Sequence, residues 1–126
     1  MIIKILCWNV WGLNDIKKRM LIKSVVKNQK PDLVCLMETK VKEISVQMVN
    51  CVGVGRFLNW VSVDARVAAW GLLLFWDNRV LDKLEVESGG YSISVCFRNC
   101  ADGFTWISLK CTGQWLVVRR KIFGRS

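Results

Sequence analysis

Two polar residues, Asn9 and Glu38, each come directly after a short apolar run, Ile2–Trp8 and Asp32–Met37 respectively. Such runs are typical of parallel strands buried on both faces, and in open α/β sheets the chemistry collects at the carboxyl ends of these strands. An amide and a carboxylate placed there side by side would form half of a magnesium and phosphate site. The other half has no evident source, because the 126-residue chain contains no histidine.

The elements needed to position these two residues can be predicted from the order of the segments. The first strand leads into a helix that Asn14 or Asp15 can cap, and Pro31 ends that helix before the second strand begins. A strand, a helix and a strand joined by short connections predict a right-handed βαβ unit. Its two parallel strands would bring Asn9 and Glu38 to the same edge of a sheet.

The rest of the chain predicts one more helix and then a series of strands. Val41–Val52 has Ile44, Met48 and Val49 on one side of a helix. After Gly53 the pattern changes to short strands separated by turn residues such as Asp77-Asn78, with Asn99–Gly103 as a hairpin loop. The five predicted strands are Phe57–Val63, Gly71–Trp76, Lys83–Glu87, Tyr91–Arg98 and Phe104–Leu109.

Composition indicates one folded, intracellular domain. Hydrophobic residues make up 52 % of the chain, yet no apolar run is long enough to span a bilayer and the amino terminus lacks a secretory signal pattern. We therefore expect no membrane association and a nuclear or cytoplasmic location. The six cysteines include no CxxC pair, so free thiols are expected rather than disulfides or a zinc site.

The net charge of +9 is weak evidence for nucleic-acid binding. Four of the 19 basic residues lie near the carboxyl terminus, and without them 15 bases face 10 acids, which leaves +5. Much of the remainder lies on the first predicted helix. We interpret these residues as the solvated face of an amphipathic helix; they are Lys17, Lys18, Arg19, Lys23, Lys27 and Lys30, and they surround Ile16, Met20, Leu21, Val25 and Val26.

Four motifs in order resemble the amino-terminal half of the endonuclease/exonuclease/phosphatase superfamily, and most closely the endonuclease of plant LINE-type non-LTR retrotransposons. They are CWNVWGLND at Cys7–Asp15, KPDLVCLMETK at Lys30–Lys40, WGLLLFWD at Trp70–Asp77 and FRNCADGFTW at Phe97–Trp106. The resemblance implies a partial four-layer α/β sandwich of the DNase I-like type. A βαβ start would be followed by a mainly antiparallel sheet, within a domain covering residues 1–110.

The resemblance also implies a chemistry, since members of this superfamily cleave phosphodiesters, here of DNA, with Mg²⁺. Glu38 occupies the place of the metal-binding glutamate and Asn9 that of the amino-terminal active-site asparagine, so both become candidate catalytic and metal-binding residues. Without the resemblance, Glu38 could equally be a surface carboxylate and Asn9 a strand-end turn residue. Asn14 and Lys40 fall near the site and are interpreted as a helix cap and a solvated flank.

Three departures from the family pattern affect the site. Trp11 stands where LINE relatives usually carry arginine, and Met37 replaces the usual glutamine before the glutamate. Ala69-Trp70-Gly71 replaces a Ser-Gly-Gly-like stretch, and a tryptophan where glycine fits a tight approach should strain the start of the strand. Alternatively, Trp11 and Trp70 simply pack on exposed core.

The family's tyrosine in a YGP turn, its GDFN aspartate and asparagine, and its late aspartate and histidine have no counterparts. Loss of the histidine and its aspartate removes the general acid–base group. We therefore expect a truncated, pseudogene-like remnant of a hydrolase, without catalysis and without a defined protein partner. The alternatives are a nucleic-acid- or metal-binding remnant, or a nuclease completed by another chain.

Residues 111–126 are predicted to be an out-of-frame basic tail. One permitted set of codons from Lys110, read from each codon's third base, gives Val-Tyr-Gly-Pro and, further on, Glu-Asn-Phe-Trp-Glu. Both are family signatures expected at this point of the domain. A shifted reading frame would explain why the tail itself matches nothing in the family.

Overall fold

Two helices and two four-stranded sheets make up the computed structural model, which describes residues 3–63, 71–89, 92–112 and 116–118. The elements in chain order are β1 (Ile5–Asn9), α1 (Ile16–Gln29), β2 (Leu33–Met37), α2 (Val46–Val52), β3 (Leu58–Val63), β4 (Leu72–Asp77), β5 (Leu81–Gly89), β6 (Ser92–Asn99), β7 (Thr105–Thr112) and β8 (Leu116–Val118).

The predicted βαβ start is confirmed, because β1 and β2 are parallel neighbours joined by α1. Asp15 caps the helix: its Oδ1 accepts from the backbone N of Lys17 at 3.0 Å. Asn14, the other candidate cap, does not have this role. The helix ends at Gln29, and its capping residue Lys30 adopts the left-handed conformation with φ 51° directly before Pro31.

After β2 the sheet continues with antiparallel pairs. The strand order is β1-β2-β4-β3 in the first sheet and β5-β6-β7-β8 in the second, which is antiparallel throughout. The Asn99–Gly103 hairpin loop is confirmed, with the N of Gly103 donating to the O of Asn99 at 2.9 Å. The chain thus has the predicted parallel start followed by antiparallel strands.

Three layers result, because each face of the first sheet is covered. One core fills the space between the two sheets and includes Leu33, Cys35, Leu74, Trp76, Val95 and Phe97. A second core lies between the other face of the first sheet and the helices, and includes Ile22, Val26, Leu36, Val49, Leu73 and Phe75. All five residues of β2 are buried, which explains its uninterrupted apolar sequence.

The helix predictions need two corrections. The second helix begins at Val46 rather than Val41, because the hydroxyl of Ser45 accepts from the N of Met48 at 3.2 Å and caps it. Val41 and Ile44 are buried, but they lie in the loop before it.

The predicted apolar face of α1 was also wrong for three of its five residues. Ile16, Met20 and Leu21 are exposed, whereas Ile22 and Val26 carry the contact with the sheet. The buried stripe is therefore narrower than the sequence suggested and is rotated around the helix.

The predicted tail is described in part. The short β8 pairs with β7, matching Leu109 with Val118 and Cys111 with Leu116. Residues 113–115 and 119–126 lie outside the described residues. The domain boundary at residue 110 and the shifted reading frame stay predictions, because a short strand can pair whether or not its sequence comes from a shifted reading frame.

Candidate functional site

The loops that follow β1 and β2 are joined by backbone hydrogen bonds beyond the ends of both strands. Val10 N donates to Met37 O at 3.0 Å, Gly12 N to Glu38 O at 2.8 Å, and Leu13 N to Thr39 O at 2.8 Å. Asn9 is paired with Met37, the residue before Glu38. The two predicted site residues therefore lie at one corner of the first sheet.

Glu38 is a buried carboxylate with an unsatisfied oxygen. The residue is 4 % exposed, and its Oε2 has no hydrogen-bond partner among the described residues. Its neighbour Thr39 is fully buried, and the Thr39 hydroxyl is also without a partner there. The surface-carboxylate alternative is thus wrong, and two adjacent polar groups at this corner lack the partners that buried polar groups normally have.

Asn9 is half-buried and shapes the loop that follows it. Its Oδ1 accepts from the backbone N of Trp11 at 3.2 Å, which is the geometry of an Asx turn. Asn9 therefore does form a turn at the end of β1, as one of the two interpretations of the sequence predicted. This bond uses only an acceptor, so the Nδ2 group of Asn9 can still donate to an oxygen of a ligand.

Two cations at the start of α1 hold the loop by its carbonyl groups. Lys18 Nζ donates to Val10 O at 2.8 Å and to Trp11 O at 3.3 Å, and Arg19 Nε donates to Leu13 O at 2.6 Å. Both residues are half-buried. They are positioning residues rather than part of a solvated face, and the sequence pattern alone did not identify them because their partners are backbone atoms.

The remaining candidates also lie between the two loops. Asn14 Nδ2 donates to Lys40 O at 3.3 Å, so Asn14 links the loops rather than capping the helix. Lys40 is exposed, and its Nζ lies 5.7 Å from the centroid of the Trp11 ring. Trp11 is 68 % exposed, so the alternative in which it packs on the core is wrong.

The strain predicted at Trp70 falls outside the described residues. The neighbouring Gly71 has φ 75°, and its carbonyl oxygen accepts from Thr39 N at 3.4 Å. β4 therefore contributes a backbone group to the same corner, at a position whose φ favours glycine.

The residues present fit a hydrated magnesium ion held by one carboxylate. No group of three His, Cys, Asp or Glu side chains suited to a metal occurs in the part of the chain that the structure describes. Mg²⁺ nevertheless keeps several of its waters and commonly binds proteins through one or two carboxylates. The unpartnered Oε2 of Glu38 supplies one such ligand, and the Asn9 amide can bond a metal-bound water or a phosphate oxygen.

A cavity of about 220 Å³ lies at the opposite end of the first sheet. Two of its lining residues are carboxylates, and both are already paired: Asp32 Oδ2 accepts from Lys4 N at 2.9 Å, and Asp77 binds Arg79. Hydrogen bonding to the Arg79 side chain lowers the pKa of Asp77. Both carboxylates of the cavity therefore stabilise the local backbone and are not available for a ligand, so we do not take the cavity as the candidate site.

Neither helix of the described chain has the length and apolarity needed to cross a bilayer. No protein-family model matches the sequence. No curated protein sequence matches it either.

Solved structures do resemble the chain. The AP endonuclease LMAP from Leishmania major superimposes with a TM-score of 0.61 at 21 % identity, over 87 % of this chain and 39 % of that one. A humanized D. rerio TDP2 with 14 mutations gives 0.60 at 15 % identity, over 86 % of this chain and 46 % of that one. The predicted DNase I-like α/β fold is confirmed, and the chain spans less than half the length of either protein.

Proposed function

We propose that this chain carries the amino-terminal half of a Mg²⁺-dependent phosphodiesterase site and binds Mg²⁺ and a nucleic-acid phosphate without cleaving the phosphodiester. The observation that carries the proposal is the buried Oε2 of Glu38, which has no partner within the described part of the chain and lies near Asn9 at the carboxyl end of a parallel strand pair. A buried carboxylate oxygen without a partner is costly, so a bound cation is a physical reason to keep it.

Each residue at the corner would have a separate task. Glu38 binds the hydrated ion, and Asn9 Nδ2 donates to a phosphate oxygen without adding negative charge. Lys18 and Arg19 fix the loop after β1 through its carbonyl groups. When bound, the ion neutralises phosphate charge and can lower the pKa of a coordinated water.

Turnover needs a group that takes a proton from the attacking water, and this sequence has no histidine to do so. We therefore propose a catalytically inactive remnant of a retrotransposon endonuclease, specifically of the plant LINE type. The four ordered motifs support this origin. Residues 1–110 would be the inherited domain and 111–126 the out-of-frame tail, in an intracellular protein.

The test compares the wild type with Glu38→Gln, using Glu43→Gln as a matched control, because Glu43 is an exposed glutamate in the following loop. Mn²⁺ replaces Mg²⁺ as the probe, and its electron paramagnetic resonance reports the fraction bound. We expect Mn²⁺ binding by the wild type and the control and its loss in Glu38→Gln. Equal Mn²⁺ binding by all three proteins would show that Glu38 is not a metal ligand.

A nicking assay on supercoiled plasmid with Mg²⁺ tests the absence of turnover. We expect the wild type and Glu38→Gln to leave the plasmid equally intact. Nicking by the wild type that disappears in Glu38→Gln would identify a working nuclease and overturn the inactive-remnant part of the proposal.

A further inference from the structure

Backbone strain is concentrated at the same corner of the first sheet. Four non-glycine residues have positive φ values among the described residues, and three of them lie here: Trp11, Glu38 and Lys40. The left-handed region is unfavourable for large side chains and persists where the surrounding structure imposes it. Trp11, with φ 53°, is the bulkiest of these residues.

The backbone of Trp11 is fixed by the groups that build the candidate site. Its N donates to Asn9 Oδ1, its O accepts from Lys18 Nζ, and the next amide, Gly12 N, donates to Glu38 O. The position of its Cα and Cβ is therefore coupled directly to both proposed ligand-binding residues.

The indole of Trp11 gains little from this arrangement within the protein. It is 68 % exposed, the highest value among the large exposed hydrophobic residues of the described chain. Burial in the core would offset the backbone strain, but the fold provides none. An exposed aromatic ring on a hydrogen-bonded backbone beside a phosphate-type site is suited to a planar apolar partner.

We infer that Trp11 is a stacking platform for an unpaired nucleobase of the nucleic acid whose phosphate lies at Asn9 and Glu38. The inference rests on the proposed function and adds the recognition of a base to it. Base–aromatic stacking needs no particular sequence, because every base has a π face. Lys40 Nζ lies over one face of the ring, 5.7 Å from its centroid, so the base would stack on the opposite face or displace this cation towards the nucleic-acid backbone.

The nearby charges favour a nucleic acid over a protein as the partner. Lys40 is exposed over the Trp11 ring, and Lys17 is exposed in the first turn of α1, directly after the loop that carries Trp11. Cations around an aromatic ring attract a polyanion, and this attraction weakens as salt is added. An apolar protein surface would instead require these cations to be desolvated.

The experiment measures fluorescence anisotropy of two labelled single-stranded oligonucleotides with the full chain and Mg²⁺. The oligonucleotides have identical sugar–phosphate backbones, but one lacks its central bases. Trp11→Gly removes the ring and suits the positive φ, and Trp11→Phe keeps an aromatic ring. Phe57→Ala is the matched control, because Phe57 is an exposed aromatic residue, 41 % accessible, stacked under Arg79 away from the site. Circular dichroism verifies that each variant is folded.

We expect the wild type, Trp11→Phe and Phe57→Ala to prefer the complete oligonucleotide by about fivefold to 150-fold. Trp11→Gly should lose this preference while keeping its affinity for the abasic oligonucleotide. A preference that survives in Trp11→Gly, or an equal loss of affinity for both oligonucleotides, would overturn the stacking role alone. Failure of the wild type to bind either oligonucleotide would overturn the proposed function together with this inference.

Discussion

The two ends of β2 carry carboxylates in opposite situations. Asp32, just before the strand, accepts from the backbone N of Lys4 at 2.9 Å. Asp77, at the same end of the sheet, accepts from Arg79 Nε at 3.1 Å and Nη2 at 2.8 Å. Glu38, just after the strand, is more deeply buried than Asp77 and has an oxygen with no partner among the described residues.

The contrast separates a carboxylate whose partners lie within the fold from one for which we propose an external ligand. A paired carboxylate stabilises its turn and needs no further explanation. A buried carboxylate without a hydrogen-bond partner lowers the free energy of unfolding. Buried polar groups that lack partners are expected mainly at functional sites. The comparison therefore predicts opposite effects of neutralising the acids at the two ends.

The largest expected effect comes from the strand that joins the ends. Leu36→Ala removes a fully buried side chain from the core under the helices and should lower the free energy of unfolding by about 2–5 kcal/mol. Urea denaturation followed by circular dichroism measures it. Val46→Ala, at a 58 % exposed position, is the control and should change stability by less than about 0.5 kcal/mol. Equal losses would mean that the described core is wrong.

Neutralising the paired acid should destabilise the protein. Asp77→Asn keeps the size of the side chain but removes the ion pair with Arg79, and we expect a loss of about 1 kcal/mol. The effect should depend on pH, because Arg79 holds the pKa of Asp77 below the ordinary 3.8.

A lowered pKa in the folded state means that this stabilisation is complete above about pH 3.8 and is lost as the pH falls through the lowered value. Denaturation of the wild type and Asp77→Asn across this range measures the difference. A difference between the two proteins that grows below pH 3.8 would contradict the assigned ion pair.

Neutralising Glu38 should not lower the free energy of unfolding, in contrast to neutralising Asp77. In the absence of divalent metal, Glu38→Gln should leave stability unchanged or raise it by up to about 1 kcal/mol, because it removes a buried charge that lacks a partner. Thermal unfolding with EDTA measures the change. A loss comparable to that in Asp77→Asn would show that Glu38 is a structural carboxylate and would remove the difference between the two ends.

The last pair of substitutions concerns backbone strain, with effects of similarly small size. Lys30, at the carboxyl end of α1, has φ 51°, so Lys30→Gly should raise stability by about 0.5–1 kcal/mol. Lys40→Gly relieves a similar φ of 54° at the site end and should give a similar gain while weakening oligonucleotide binding. If Lys30→Gly weakened binding equally, the cation at the site end would have no special role.

The sequence predicted the parts of the fold that depend on local pattern. β1 and β2 were recognisable as buried runs, and the residue types in the Asn99–Gly103 loop indicated a hairpin. The adjacency of Asn9 and Glu38 followed from the expected parallel pairing. Each of these inferences needs only uninterrupted apolar runs, the residue types of turns and the rules that connect neighbouring strands.

The remainder depends on tertiary geometry that a pattern does not contain. The exposure of Ile16 and Met20 reflects how far α1 is rotated against the sheet, which its neighbours determine. Lys18 could not be assigned to the loop carbonyls because backbone acceptors look alike at every position of a sequence. The buried state of Glu38 was likewise invisible, since it results from the layers that surround β2.

The parallel hydrogen bonds of the site are formed early in the chain, whereas the strand that completes the sheet comes much later. Met37 pairs with Leu72, which lies 35 positions later in the chain. At a synthesis rate of about 5–20 residues per second, β2 waits roughly 2–7 s on the ribosome for β4. During that interval the loops after β1 and β2 can already form their hydrogen bonds with each other. The edge of β2 that later pairs with β4 is still unpaired, so chaperones or other chains can bind to it.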